Sequence, residues 1–428
     1  MRYSTIPQQL FEKNRIKLTQ KLKPHSLAIL HSNDQMPRNG DQFFPFRQNS
    51  DLFYLCGIDQ EKTILTLCPG HPEEKFREVL FILKTDPKTE LYLGHKLTQE
   101  EARAISGVNT VYWLDEFDKV YPELKQNSEY GYTNLDENNP TRSDSVFPNL
   151  RFAEKIRSRF PLFKQEKLAP LMTELRMVKE PEEMKIIEQA CSITDYAFRN
   201  VLKMVKPGIF EYEVEAELTR SFLQKGSTGH AFAPIAASGS NACVLHYSSN
   251  GSVCQEGDLL LMDFGAEQAN YASDCSRTIP VSGVFSNRQK QLYQAVLRVL
   301  KRAELMIHPG ISIEDMNKDL QKIWEEEHIS LGLYTRRDLE QQDPEKPLYK
   351  TYFPHGVSHH MGLDVHDVGS KDVILQPGMV ITFEPGIYIR EEGTGIRLEN
   401  DYLVTGDTAV NLMKNIPVEI EDIEQLMK

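Results

Sequence analysis

Short apolar segments alternate with polar, helix-like segments through the first part of the chain. SLAILHSN, TILTLCPG and EVLFILK are rich in β-forming residues, which predicts the strands of an α/β layer. From about residue 126 to 146 the chain is crowded with Asn, Asp, Ser and Pro, a composition typical of a long surface loop. We therefore expect an α/β domain over residues 1–170.

A longer helical pattern begins after residue 170. We expect a helix to start at Pro181, because Glu182 and Glu183 then occupy the first turn, where acidic groups interact favourably with the helix dipole. Apolar residues follow at helical spacing: Met184, Ile187, Cys191 and Phe198. Since 428 residues exceed the usual size of a single core, residues 171–428 are assigned to a second domain.

The second domain contains a weak internal repeat. MVKPGIFEYEVEAEL begins at Met204 and MIHPGISIEDMNKDL begins at Met306, and in each a helix-like stretch ends at Pro-Gly before an acid-rich helix. Shared turn chemistry alone could explain so short a similarity. Each copy is also followed by a strand pair that carries two acids, and this second likeness favours duplication.

The first acidic pair interrupts the strands of LLLMDFGAEQANYASDCSRTIP, residues 259–280. If this segment is a hairpin that turns at 268–269, Asp263 lies directly opposite Asp274. The two side chains then leave the sheet on one face, roughly 5 Å apart at Cβ.

The second acidic pair has the same arrangement in GMVITFEPGIYIREEGTGIRLENDYLV. A turn around 391–393 places Glu384 directly opposite Glu399. Like charges opposed inside apolar strands are destabilising unless a cation lies between them. The alternative is that each acid is a single buried, hydrogen-bonded carboxylate or that the turns are misplaced.

A cluster of histidines supplies a fifth candidate ligand. FPHGVSHHMGLDVHDVG contains His355, His359, His360 and His366, in a chain with only 12 histidines. Four carboxylates and one imidazole describe a site for two divalent ions about 3.5–4 Å apart. Ligation dominated by oxygen suits Mn²⁺, Co²⁺, Fe²⁺ or Zn²⁺ better than a structural zinc site made of thiolates.

Charge and hydropathy exclude several classes of protein. The balance of 49 basic and 62 acidic residues gives a net charge of −13, which argues against a nucleic-acid or anionic-membrane partner. No apolar run approaches the roughly 20 residues that a membrane helix needs, and the first residues do not resemble a signal peptide. The six cysteines are scattered along the chain, which is typical of reduced thiols, so we expect a cytoplasmic protein.

In order and context, the five candidate ligands resemble those of the pita-bread metallopeptidases of family M24, and most closely those of aminopeptidase P: Asp263, Asp274, His359, Glu384 and Glu399. GDQFFPFRQNSDLFYLCGI, residues 40–58, is similar to the amino-terminal domain of that family, and HGVSHHMGLDVHDVG, FEPGIYI and GIRLEND are similar to its catalytic motifs. The resemblance implies an α+β protein with a creatinase-like α/β amino-terminal domain. A pita-bread catalytic domain with an internal pseudo-twofold repeat would follow.

The resemblance also implies a role for each ligand. Asp263 would bind one ion alone, Asp274 and Glu399 would bridge the two ions, and His359 and Glu384 would bind the other. Glu384 would also move a proton from the attacking water to the leaving nitrogen.

Five further residues match family positions at the substrate cleft: His246, His355, His366, Tyr388 and Arg397. His366 or His355 would stabilise the tetrahedral oxyanion, and His360 is expected not to be a ligand. Taken alone, His246 and Tyr388 could equally be ordinary polar residues, and Arg397 could simply pair with a neighbouring acid.

The implied activity is release of the first residue from peptides with proline second, by a hydroxide held between two ions. Mn²⁺ is the expected metal, and a homodimer or homotetramer is the expected assembly. A prolidase that cleaves only Xaa-Pro dipeptides is the nearest alternative. A methionine aminopeptidase, a creatinase-like hydrolase and a non-catalytic binding protein on the same scaffold are further alternatives.

Overall fold

The computed structural model describes Tyr3, residues 5–126 and 128–133, positions 151, 154 and 158, and residues 164–428. Most of the loop expected between 126 and 146 lies outside these residues. The chain divides into two compact units. The amino-terminal unit comprises Ser4–Arg176, and the carboxy-terminal unit comprises Met177–Lys428 together with the first three residues.

The amino-terminal unit is an α/β layer, as its apolar segments predict. Its described strands are β1 (Ser26–His31), β2 (Pro37–Asn39), β3 (Gln42–Phe43), β4 (Ile64–Leu67), β5 (Glu78–Ile82), β6 (Thr110–Trp113), β7 (Tyr130–Thr133) and β8 (Lys164–Lys167). Six of them form one mixed sheet in the order β6-β5-β4-β1-β7-β8, and β2 pairs with β3 separately. The predicted strands SLAILHSN, TILTLCPG and EVLFILK are confirmed as β1, β4 and β5.

Helices accompany this sheet: α1 (Gln8–Lys21), α2 (Ser50–Cys56), α3 (Pro87–Leu93), α4 (Gln99–Ser106), α5 (Phe117–Gln126) and α6 (Ala169–Met177). Leu27 and Ile29 of β1 and Phe81 of β5 share a buried cluster with Phe117 and Tyr121 of α5. Because alternate residues of a strand face the same side, this cluster places α5 on one face of the sheet.

The carboxy-terminal unit begins with the long helix that the sequence predicts. Its described helices are α7 (Pro181–Met204), α8 (Glu211–Gln224), α9 (Asn287–Leu300), α10 (Ala303–Met306), α11 (Ile313–Ser330), α12 (Arg336–Glu340) and α13 (Ile420–Leu426). Pro181 is the first residue of α7, and the Glu183 carboxylate accepts a hydrogen bond from the backbone N–H of Glu180 at 2.8 Å. The predicted apolar stripe of α7 is buried.

The strands of this unit fall into two similar groups: β9 (Gly229–His230), β10 (Ile235–Ser238), β11 (Leu259–Phe264), β12 (Ala266–Gln268), β13 (Tyr271–Ala272), β14 (Cys275–Pro280), β15 (Val380–Phe383), β16 (Gly386–Ile389), β17 (Thr394–Arg397), β18 (Asn400–Val404) and β19 (Ala409–Asn411). The first group contains the sheets β10-β11-β14 and β13-β12-β9. The second contains β15-β18-β19 and β16-β17. Each group follows an acid-rich helix that starts after a Pro-Gly pair, which is the repeat seen in the sequence.

The first hairpin differs from the prediction by one residue at its turn. Asp263 lies opposite Ser276, not opposite Asp274. The turn residues are Ala269 and Asn270, both with positive φ (48° and 65°), as a two-residue turn of this kind requires. The predicted turn at 268–269 was therefore wrong. Asp274 remains on the face of Asp263 as its diagonal neighbour, because the register changed by two residues.

The second hairpin has the predicted register. Phe383 lies opposite Asn400 and Gly386 lies opposite Arg397, and the chain reverses at Arg390–Glu392 before Gly393, whose φ is +59°. In this register Glu384 faces Glu399 at the break between the β15–β18 and β16–β17 ladders.

The break lets both acids bond to other segments. The Glu384 N–H donates to the Val357 carbonyl at 2.8 Å, and the Glu399 N–H donates to the Ser276 carbonyl at 3.0 Å. The second hairpin is thereby held against both the histidine segment and the first hairpin.

Gly265 lies between β11 and β12 and packs against the backbone of Ser273 on the other side of the first hairpin. A Cβ at this position would overlap the Ser273 carbonyl, which is backbone and cannot rotate away. We expect Gly265→Ala to lower the free energy of unfolding by about 3 kcal/mol, measured by urea denaturation. Gly406→Ala, where a Cβ meets nothing within 4 Å, is the control and should be neutral or slightly stabilising. Equal stability of the two variants would contradict this account.

Candidate metal centre

Three of the predicted ligands converge on one point. Ligand atoms of Asp274, His359 and Glu399 all lie within 4.8 Å of one another, and His359 Nε2 is 3.4 Å from Asp274 Oδ2. Asp274 precedes β14, Glu399 precedes β18, and His359 lies in the irregular segment before β15. The two acids are buried. Three separate segments of the chain thus meet at the site.

Asp263 joins this group through Arg397. The Arg397 guanidinium is buried and donates to Asp263 Oδ2 at 2.7 Å and to Ser276 Oγ at 2.8 Å. The Ser276 hydroxyl donates in turn to Glu399 Oε2 at 2.7 Å. Arg397 therefore orients acids from both hairpins, and its pairing with an acid is a structural link within the site.

Glu384 lies on the side of the site nearest to His355. Its Oε2 is 3.7 Å from His355 Nδ1. Burial raises the pKa of Glu384, although His359 and Arg397 oppose that effect. A carboxyl group with a raised pKa accepts a proton more readily than an ordinary glutamate.

The electrostatics of the acids indicate that cations belong among them. Burial, followed by repulsion from Asp263, raises the pKa of Asp274 well above its ordinary value, and burial with repulsion from Asp274 does the same for Glu399. Within the described residues, Oδ1 of both Asp263 and Asp274 is buried without a hydrogen-bond partner. Buried unpaired oxygens of this kind are costly, and divalent ions with oxygen ligands satisfy them.

Two imidazoles near the acids, those of His355 and His366, are neutral at physiological pH. Burial lowers the pKa of His355 to about 3 and of His366 to about 4, and His246 lies near enough to both rings to interact with them electrostatically. The His366 ring lies 4.4 Å from that of His359. The structure thus brings His246, itself an exposed side chain, within electrostatic range of the two other cleft histidines.

Hydrogen bonds define the tautomer of His355. Its Nδ1 lies 2.8 Å from the Gly356 carbonyl, which can only accept, so Nδ1 carries the proton. Nε2 then accepts from the Tyr388 hydroxyl at 2.8 Å, while that hydroxyl accepts from Arg397 at 3.0 Å. Tyr388 therefore links His355 to Arg397 and, through it, to Asp263.

His360 does not join the group of ligand atoms around Asp274. Its ring packs against Gly369, where a Cβ would lie 2.6 Å from His360 Cδ2. Burial lowers the pKa of His360 to about 4. It is therefore a neutral packed side chain in this structure.

Three polar residues at the site were not predicted from the sequence: Ser276, Lys371 and Asp401. Asp401 Oδ2 accepts from the Asp274 N–H at 3.1 Å and from Cys191 Sγ at 3.5 Å. Strand alternation could have indicated Asp401, which lies two residues after Glu399. No local signal indicated Lys371, whose charge lowers the pKa of both His355 and His366.

Comparison with known proteins identifies the family of this chain. The model of metallopeptidase family M24 matches residues 185–406, and that of the aminopeptidase P amino-terminal domain matches residues 11–132. The chain belongs to metallopeptidase family M24. This M24 protein thus has an aminopeptidase P amino-terminal domain followed by a pita-bread unit, which is the predicted fold.

Relatives of known activity extend over the whole chain. A Haemophilus influenzae Xaa-Pro aminopeptidase is 35% identical, covering 99% of this chain and 98% of its own. An Escherichia coli Xaa-Pro aminopeptidase is 31% identical with the same coverage. A solved structure of zinc-substituted E. coli aminopeptidase P in complex with product has a TM-score of 0.88 at 30% identity, covering 99% of both chains.

Membership of M24 makes this a metallopeptidase that uses divalent metal ions. Neither the fold nor the relatives favour the prolidase, methionine aminopeptidase, creatinase-like or binding-protein alternatives. Among the described residues, no helix combines the length and the apolar character needed to span a bilayer.

Proposed function

We propose that this M24 protein is an Xaa-Pro aminopeptidase, which releases the first residue of a peptide whose second residue is proline. The observation that carries the proposal is the convergence of Asp274, His359 and Glu399, with buried acidic oxygens that have no partner among the described residues. The full-length similarity to Xaa-Pro aminopeptidases supports the same reaction.

The metal ligands in this proposal are the five predicted residues. Asp263, Asp274, His359, Glu384 and Glu399 would together hold the two divalent ions. We propose Mn²⁺, because a donor set of four carboxylates and one imidazole suits it. Two such ions would polarise the scissile carbonyl and make water nucleophilic at neutral pH.

The chain's own groups complete the reaction. Glu384, whose pKa is raised by burial, takes the proton of the attacking water and delivers it to the proline nitrogen as that nitrogen leaves. His366 is neutral at physiological pH and donates an N–H to the oxygen that becomes negative. His246, His355, Tyr388 and Arg397 line the cleft and hold the substrate. Proline fits there because its nitrogen brings no N–H that needs an acceptor.

Location and assembly are also proposals. A cytoplasmic location is supported by six free, buried cysteines, because an oxidising compartment favours disulfides. We expect a homodimer or homotetramer, which light scattering on the eluted protein would determine. A monomer at micromolar concentration would refute that expectation.

Chelation tests the proposed chemistry. Treatment of the purified protein with EDTA should reduce hydrolysis of Arg-Pro-Pro by at least about 100-fold, and added Mn²⁺ should restore it. Release of arginine is measured by chromatography, with Arg-Ala-Pro as the control peptide that should remain intact.

The same assay separates the alternatives. Cleavage of Gly-Pro but not of Arg-Pro-Pro would identify a prolidase. Absence of peptide cleavage at any metal concentration would favour the binding-protein alternative and refute the proposal.

A further inference from the structure

The Glu211 carboxylate, at the start of α8, is a buried charge that lies outside the metal centre. Its residue is 0% exposed. Oε1 accepts from the N–H and hydroxyl of Ser238 at 2.7 Å each and from Asn241 Nδ2 at 3.0 Å. Oε2 accepts from the Tyr247 hydroxyl and from the Ser252 N–H at 2.8 Å each. All five partners are donors, so the group is matched to an ionised carboxylate.

These five hydrogen bonds keep the carboxylate charged. Burial alone would raise the pKa of Glu211, but the bonds from Ser238, Asn241 and Ser252 outweigh that effect and lower it. A buried charge that is fully hydrogen-bonded is rigid, because breaking any one bond leaves a desolvated partner.

All of the donors lie on one segment, residues 238–252, and this segment carries His246. Glu211 also donates its own N–H to the Ser252 carbonyl at 3.0 Å. One residue of α8 therefore holds the beginning, the middle and the end of the segment.

The other side of the segment is held by the second hairpin. Cys243 Sγ donates to the Thr394 carbonyl at 3.5 Å, and Gly395 leaves no room for a Cβ against the Ala242 carbonyl. His246 itself is exposed and, within the described residues, its side chain makes no hydrogen bond. Its location is consequently set by the backbone that Glu211 and β17 hold.

We propose that Glu211 is a positioning residue for catalysis, which acts by holding the 238–252 segment so that His246 faces the substrate beside His355 and His366. This inference rests on the proposed role of His246 in the cleft. A glutamine at position 211 would direct an N–H at Ser238 or at Ser252, because its amide has one acceptor atom where the carboxylate has two. Even this nearly isosteric change is therefore disruptive.

A double-mutant cycle tests the inference. In the Mn²⁺-loaded enzyme, Glu211→Gln should lower kcat/KM for Arg-Pro-Pro about tenfold, and His246→Ala should lower it at least as far. The double variant should be no worse than His246→Ala alone, whereas independent effects would multiply to about 100-fold. Glu211→Gln should lower the melting temperature equally in the wild type and in His246→Ala. An effect on activity that depends on His246, with an effect on stability that does not, distinguishes positioning from general destabilisation.

Two further variants complete the experiment. Glu217→Gln is the matched control, since Glu217 lies on the same helix and bonds to Arg220 and Ser221 instead, and its kcat/KM should match that of the wild type. Tyr247→Phe removes one hydrogen-bond donor to Glu211 and replaces Glu211→Gln in the cycle if that variant does not fold. It should lower kcat/KM about threefold, and again only when His246 is present.

The outcomes are distinct. Multiplicative losses in the cycle would overturn the role of Glu211 while leaving the proposed function intact. Unchanged activity of His246→Ala would overturn the role of His246 and this inference together, whereas the chelation assay on wild-type protein judges the proposed function separately.

Discussion

Replacement of Asp274 by Asn is expected to lower kcat for Arg-Pro-Pro by at least about 10³-fold. Asp274 is one of three groups whose ligand atoms lie within 4.8 Å of one another, and an amide supplies one neutral oxygen where the carboxylate supplies two charged ones. The bound Mn²⁺, measured by elemental analysis after gel filtration, should fall below two per chain.

The same variant should be more stable than the wild type when metal is absent. Burial, with repulsion from Asp263, Asp401 and Glu384, raises the pKa of Asp274. A neutral amide at this position removes the free-energy cost of either burying a charge or binding a proton there at pH 8. Its melting temperature without metal should therefore rise, while activity is lost. Asp407→Asn, at an exposed site, is the control and should change neither quantity. Wild-type activity or full metal occupancy in Asp274→Asn would refute the assignment of Asp274 as a metal ligand.

The second large effect is expected in the pH dependence of stability without metal. Asp274 and Glu399 have pKa values well above ordinary because they are buried together. The folded protein therefore keeps protons at pH values where the unfolded chain has already lost them, and its stability falls as pH rises through that range. Between pH 7 and 8 the free energy of unfolding of the metal-free protein should therefore fall, by at most about 1.4 kcal/mol for each of the two groups.

This pH window is chosen because other groups titrate elsewhere. The buried histidines have lowered pKa values, such as about 3 for His355, so their contribution rises with pH but is complete above about pH 7. The buried thiols, such as Cys275 with its raised pKa, affect both metal-loaded and metal-free protein equally.

Urea denaturation with and without Mn²⁺ at both pH values measures the effect. The free energy of unfolding of the metal-loaded protein should change little between the two pH values, because bound cations replace the protons. For metal-free Asp274→Asn, the change in the free energy of unfolding with pH should be roughly half that of the metal-free wild type. Identical slopes with and without metal would show that the acids do not share a cation site.

Several features of the fold were predictable because they depend on neighbouring residues. Proline at 181 with acids after it starts a helix through local capping and dipole effects. In the second hairpin, Gly393 adopts the left-handed conformation that its turn needs, and the register of Glu384 and Glu399 follows from that turn. The first hairpin was misplaced because the positive φ values fall at Ala269 and Asn270, and alanine gives no sign of such a turn.

The candidate ligands could be proposed from their order and spacing. An error of one residue in the turn of a hairpin changes the register by two residues, so Asp263 and Asp274 stay on the same face of the sheet. The connections that orient the ligands could not be proposed in this way. Arg397 bonds to Asp263 across 134 positions, Ser276 to Glu399 across 123, and Tyr247 to Glu211 across 36.

Local pattern was thus sufficient for the helix that starts at Pro181, for the second hairpin and for the types of residue that face the centre, because short-range sterics and periodicity govern those features. Packing of the two repeat halves decided which acid each donor meets, which carboxyl groups hold protons, and how the segment bearing His246 is held. These properties arise from burial and from charges brought together by distant parts of the chain, and no short stretch of residues encodes them.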